Sequence, residues 1–112
     1  MEVKVVKKDT YTVLKLKGSL DIYTSLDLKS SMETVPVDKD HILVFDMSQV
    51  DYVDSSGIGT LIKIANKVQD GEGEFFITGI KPMIEKIFKV AGLTNYFQIL
   101  TKEEAEQKFP TS

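Results

Sequence analysis

Residues 42–68, ILVFDMSQVDYVDSSGIGTLIKIANKV, decide the fold. Ile42-Leu43-Val44-Phe45 is apolar without alternation and is flanked by His41 and Asp46, the pattern of a central strand covered on both faces. Met47 to Val53 reads as a turn segment. Ile58, Leu61, Ile62, Ala65 and Val68 then recur at i, i+3, i+4, i+7 and i+10, which predicts an amphipathic helix that starts at Ser55-Ser56-Gly57 and is ended by Gly71. A core strand followed by such a helix calls for a layered α/β structure.

Upstream, Val3 to Lys17 carries two β-rich stretches around Lys7-Lys8-Asp9-Thr10, and Thr12, Leu14 and Leu16 alternate with Tyr11, Val13, Lys15 and Lys17. This predicts an opening hairpin. Its five lysines, Lys4, Lys7, Lys8, Lys15 and Lys17, are expected on a solvated edge, where they block edge-to-edge pairing. After Gly18-Ser19-Leu20-Asp21, Thr24 and Asp27 have the spacing of a capping box, and Tyr23 and Leu28 that of a hydrophobic staple, so a helix should begin at Ser25. Leu28, Met32 and Val35 mark its buried stripe, and Pro36 stops it.

Downstream, Glu74 to Thr78 reads as a short strand, and Pro82 as the first position of a helix carrying Ile84, Ile87, Phe88 and Ala91, with Gly92 as its stop. Tyr96 to Leu100 alternates like a last strand. Thr101 with Glu104 repeats the capping-box spacing and opens a short polar helix that Pro110 terminates. The order β-β-α-β-α-β-α-β-α predicts one α/β domain over residues 1–112, with a mixed sheet of about five strands and about four helices. Phe75, Phe76, Phe88 and Phe97 are expected in its core.

Composition narrows the function. The chain has 112 residues, 42% of them hydrophobic and 28% charged, enough for a single core and too few for a second domain. All 14 basic residues are Lys and the net charge is −3, so the arginine forks that read phosphate and guanine are absent and nucleic acid is not the expected partner. With no Cys and one His, disulfide, thiolate and Cys- or His-clustered metal chemistry are excluded, and no cofactor is expected. The longest strongly apolar run, Ile42 to Phe45, falls far short of a membrane span, and Met1-Glu2-Val3-Lys4 is no signal peptide. A cytoplasmic protein is the expectation.

The chemistry concentrates in Val50-Asp51-Tyr52-Val53-Asp54-Ser55-Ser56-Gly57-Ile58-Gly59. Two hydroxyls and two glycines fall at a loop-to-helix junction, where the first backbone N–H groups lack intrahelical partners and favour negative charge. A cap needs one of Asp54, Ser55 and Ser56. Glycines in a first helical turn lower helix propensity by about 1 kcal/mol each relative to Ala. Close approach of another backbone, or of a phosphoryl group, would compensate. Tyr52 and Ile58 flank the junction; both are expected to pack on the core, with Tyr52 the better candidate for an interface contact.

Asp54-Ser55-Ser56-Gly57-Ile58-Gly59, preceded by a hydrophobic strand ending in Asp46 and followed by an amphipathic helix, resembles the signature of the STAS domain, in particular of the anti-sigma factor antagonists. Gly18-Ser19-Leu20-Asp21 is similar to that family's Gly-Glu-Leu-Asp turn, and Ala91-Gly92-Leu93 to its small-Gly-Leu turn. The resemblance runs from about Val3 to Leu100. It implies a partner switch. The unmodified antagonist binds an anti-sigma factor, itself a serine kinase, and frees a sigma factor; phosphorylation breaks the complex, and a metal-dependent serine phosphatase restores it. The phosphoacceptor implied is the first hydroxyl after the Asp, here Ser55, with Ser56 in second place. Asp21 matches the Asp of the upstream turn, beside the phosphorylation site and the partner surface. Asp54, Gly57, Ile58, Gly59 and Tyr52 complete the expected contact surface. The chain departs from the pattern in having Ser19 where Glu is common, and with no Arg its cationic contacts must come from Lys.

Other readings fit less well. Ser-Ser-Gly-Ile-Gly lacks the upstream Gly of a nucleophile elbow, and the one possible base, His41, opens the core strand. Ile62 stands where a dinucleotide fingerprint wants its third Gly, and no phosphate-loop motif is present. Asp46 with Thr78 and Lys81 faintly resembles a phosphoaspartate receiver, but no acidic pair follows the first strand to hold magnesium. Asp46, Asp51 and Asp54 are expected in turn and cap roles rather than as a metal cluster. A STAS subunit of a lipid-transport or signalling-scaffold complex is the alternative within the family.

Overall fold

The computed structural model describes residues 1–111. Strands β1 (Glu2–Lys7) and β2 (Tyr11–Leu20) are followed by α1 (Ser25–Met32), β3 (Ile42–Val53), α2 (Ser55–Asp70), β4 (Glu74–Thr78), α3 (Pro82–Val90), β5 (Gln98–Leu100) and α4 (Lys102–Lys108). The sheet runs β1-β2-β3-β4-β5 in space. β1 and β2 form the antiparallel hairpin, and β2 through β5 are parallel. The mixed five-stranded α/β domain expected from the sequence is the fold observed.

Parallel neighbours need crossover helices, and right-handed crossovers put α1, α2 and α3 on one face of the sheet. Leu28, Leu61, Ile84 and Phe88 from these helices pack against Leu14, Leu16, Leu43, Phe45 and Ile77 in the main core. The other face carries a smaller cluster of Val13, Val44 and Phe109, the last at the end of α4. Tyr11 and half-buried Phe76 place their rings 5.3 and 5.4 Å from Phe109. β3 is thus covered on both faces, as its unbroken apolar start requires.

The segment Met47–Val53 is not a turn; it is the second half of β3. Lys15 pairs with Asp46 but Lys17 with Gln49, and Gly18 pairs with Val50 but Ser19 with Tyr52. At each shift β3 carries one residue more than β2, the mark of a β-bulge. Met47, Val50 and Val53 therefore all enter the main core although they are three residues apart.

Smaller departures have local causes. The box expected at Thr24 and the staple from Tyr23 to Leu28 do not form. Thr24 Oγ1 accepts from Asp21 N at 2.9 Å and donates to Ser19 O at 2.6 Å, and Tyr23 is 85% exposed. α1 ends at Met32, short of Val35 and Pro36, though Val35 is buried. In α2, Ile64 is buried while Ile58 and Ile62 are half-buried. Gly71 ends that helix, but with an ordinary φ of −83°; the left-handed residue is Glu72. Gly71 is needed because a Cβ there would overlap Val37 O. β5 begins at Gln98 rather than Tyr96. Lys15 and Lys17 lie on β2, an inner strand, so Lys4 and Lys7 are the hairpin lysines on an edge strand. The capping box at Thr101 and Glu104 is complete, with reciprocal bonds of 3.1 and 2.9 Å.

Candidate functional site

β2 and β3 end side by side, with Leu20 paired to Val53, and Asp54 N then donates to Leu20 O at 3.1 Å. The β2–α1 and β3–α2 connections consequently leave the sheet as neighbours. Asp54 is extended and caps α2: its carboxylate accepts from Gly57 N at 2.9 Å. The cap takes one side chain. Among the described residues no hydrogen bond engages the hydroxyl of Ser55, which is exposed, or of Ser56, which is half-buried. No acidic residue occupies the first turn of α2.

The two glycines serve different ends. Gly57 is buried, and a Cβ on it would overlap the Leu20 carbonyl, so this position brings the helix start onto the end of β2. A Cβ on Gly59 would meet nothing within 4 Å. The fold of this chain alone gives no reason for that glycine.

Asp21 organises the other connection. Its Oδ1 accepts from Thr24 N at 3.0 Å and Tyr23 N at 2.9 Å, an Asx turn, and Ser25 Oγ donates to its carbonyl at 2.6 Å. The Thr24 N–H, first among these donors, holds the Asp21 carboxyl below its ordinary value. With the turn so fixed, Ile22 and Tyr23 project outward at 63% and 85% exposure, and Leu26 follows at 66%. Tyr52, opposite Ser19 in the ladder, is 49% exposed and does not join the core, whereas Ile58 packs against it.

Sequence reasoning brought Asp54, Ser55, Ser56, Gly57, Ile58 and Gly59 to this place, and the fold sets Asp21 and Tyr52 at the same end of the sheet. It missed the apolar rim. Ile22-Tyr23 beside a turn-forming Asp was the available signal. Below that rim, a groove of about 450 Å3 runs between α1 and α2.

The other chemical readings meet specific obstacles. His41 hydrogen-bonds Thr12 Oγ1 at 2.9 Å at the opposite end of β3 from Ser55. Lys81 pairs with Asp51 at 2.6 Å rather than with Asp46, tying the end of β3 to the start of α3. Asp46 accepts from Ser48 N at 3.0 Å. The three carboxylates of the segment thus have three separate engagements.

The family model of the STAS domain matches residues 2–106. The anti-sigma-B factor antagonist of Listeria monocytogenes is 23% identical over 104 residues, covering 92% of this chain and 91% of that protein. The anti-sigma factor antagonist from Mycobacterium paratuberculosis superposes with a TM-score of 0.80 at 24% identity, over 95% of this chain and 91% of that one. The Bacillus cell fate determinant SpoIIAA in its phosphorylated form gives 0.71 at 19% identity, over 96% and 98%. With the match spanning nearly the whole chain and the strand order and helix placement agreeing, this protein belongs to the STAS domain family.

Proposed function

We propose that this chain is an anti-sigma factor antagonist that works by partner switching and catalyses no reaction itself. The unmodified protein binds an anti-sigma factor serine kinase in the cytoplasm and releases a sigma factor. Phosphorylation of Ser55 breaks that complex, and a serine phosphatase restores it. One observation carries the reading: an unengaged, exposed hydroxyl at the start of α2 sits at the sheet end where Ile22, Tyr23, Leu26 and Tyr52 are also exposed. A modifiable group at an apolar surface suits a switch on binding. The names of similar proteins, anti-sigma-B factor antagonists among them, point the same way.

The physics is direct. A phosphate adds about −1.5 to −2 charge beside Asp54 at a surface that must lose water on binding. If the mismatch costs ~2–5 kcal/mol, the dissociation constant rises by about thirtyfold to several thousandfold, enough to reverse occupancy. The fold itself tolerates the charge, because a phosphate at a helix N-terminus meets free amides and a favourable dipole.

The test uses wild type, Ser55→Ala and Ser55→Asp as baits in a lysate of the source organism, with captured proteins identified by mass spectrometry. Capture of an ATP-binding kinase-like protein by the first two and not by Ser55→Asp is the expected result. Equal capture of one partner by all three would overturn the switch and favour a constitutive subunit of a lipid-transport or signalling-scaffold complex.

A further inference from the structure

The groove between α1 and α2 has a polarity that the switch does not by itself require. Ile22 and Leu26 form one wall at the end nearer Ser55, facing Ser56 and the open space above Gly59. Lys29 follows Leu26 by three residues and Lys63 follows Ser56 by seven. Both helices leave parallel strands at the same sheet end, so the two lysines lie together toward the far end. At 1.5 Å per residue the lysines lie about 5–6 Å along the helices beyond Leu26 and Gly59.

Charge separates this groove from four other hollows on the molecule. Lys29 and Lys63 are its only charged lining residues, whereas each of those four mixes Lys with Asp or Glu. Among the described residues neither lysine belongs to an ion pair. In a chain of net charge −3, a hollow whose charged lining residues are both cations and that is continuous with the Ser55 surface is complementary to an acidic partner.

We propose that this groove receives a segment of the partner protein in which an apolar side chain seats between Leu26 and Gly59 and an Asp or Glu carboxylate lies between Lys29 and Lys63. The absence of a side chain at Gly59 leaves the room that the apolar anchor fills. The spacing fits two side chains about three or four residues apart on a helix or about two apart on a strand. This inference rests on the proposed partner switch and names what the partner must carry.

The experiment takes the purified partner that wild type and Ser55→Ala capture, and measures its affinity by calorimetry at low and high salt. Lys29→Glu with Lys63→Glu should raise Kd at least about tenfold and flatten its salt dependence. Lys7→Glu with Lys39→Glu, at the other end of the strands, should change Kd less than about twofold. All four lysines are exposed, and thermal melts establish that each variant is folded. A photoreactive residue at position 26 should cross-link to a segment bearing Asp or Glu, and reversing that acid to Lys in the partner should restore binding to the double variant. If the double reversal leaves Kd within about twofold while Ser55→Asp abolishes binding, the groove is not the recognition cleft and the switch stands. If cross-links fall in a segment without carboxylates, the inference is likewise overturned. If Ser55→Asp binds as wild type does, the switch itself fails, and the groove inference with it.

Discussion

Gly57 lies so close to Leu20 that a methyl group on residue 57 would overlap the Leu20 carbonyl oxygen. That oxygen already accepts from Asp54 N, so it cannot move without disturbing the last pairing of β2 with β3. Gly57→Ala should therefore destabilise the fold by about 1–3 kcal/mol, the cost of overpacking a rigid contact. Gly59→Ala should do the reverse, adding ~0.5–1 kcal/mol, because the site is open and Ala is the better helix former. Urea denaturation of the two variants checks the pair. Equal effects would mean that the glycines do not differ as described.

Folding and binding separate at Ser55. Its neighbour Asp54 holds the cap, and the first turn of α2 contains no acid. Ser55→Asp places a negative charge where the dipole favours it, so stability should stay unchanged or rise by ~0.3–1 kcal/mol even as partner binding is lost. Asp54→Ala should lower stability by about 0.5–2 kcal/mol. Asp54→Asn, which still accepts from Gly57 N, should keep most of it. A Ser55→Asp variant that melts well below wild type would tie any binding defect to unfolding rather than to charge.

The second half of β3 marks the limit of what the sequence displays. Ile42–Phe45, the α2 stripe and the Thr101 box were legible because each follows a simple period or local spacing. Met47, Val50 and Val53 face one core at intervals of three, since two bulges each insert a residue, and no strand template contains that interval. The apolar rim was hidden for a related reason. Tyr23 has the spacing of a staple, but Asp21 and Thr24 bond with each other's backbone instead and turn Tyr23 outward. Local spacing shows which bonds can form, and competition among donors decides which do.

That placement of Val50 is open to test. It is fully buried, while its neighbours Asp51 and Tyr52 are exposed. Val50→Ala should cost about 2 kcal/mol through lost burial and the cavity left behind. Tyr52→Ala should change stability by less than about 0.5 kcal/mol yet weaken partner binding. If Val50→Ala were silent in chemical denaturation, the bulged register would be wrong.

Acid should act on this fold through two carboxyls that follow the ends of β2 and β5. Glu104 is held below its ordinary value by the backbone N–H of Thr101, and then by the Thr101 side chain; Asp21 is held down chiefly by the Thr24 N–H. A carboxyl depressed in the folded state contributes stability that is fully present above its unfolded value and is lost as pH falls through the folded one. The loss therefore starts near the usual carboxylate range, 3.8 for Asp21 and 4.5 for Glu104, and completes below it. Carboxyl carbon shifts followed by NMR should show both groups titrating below those values, with amide exchange at Thr101 quickening over the same range. Glu104→Gln keeps a side-chain oxygen able to reach Thr101 N and has no proton to gain, so its α4 should hold where the wild-type helix start loosens. Identical acid profiles for the two proteins would show that the box does not depend on the charge of Glu104.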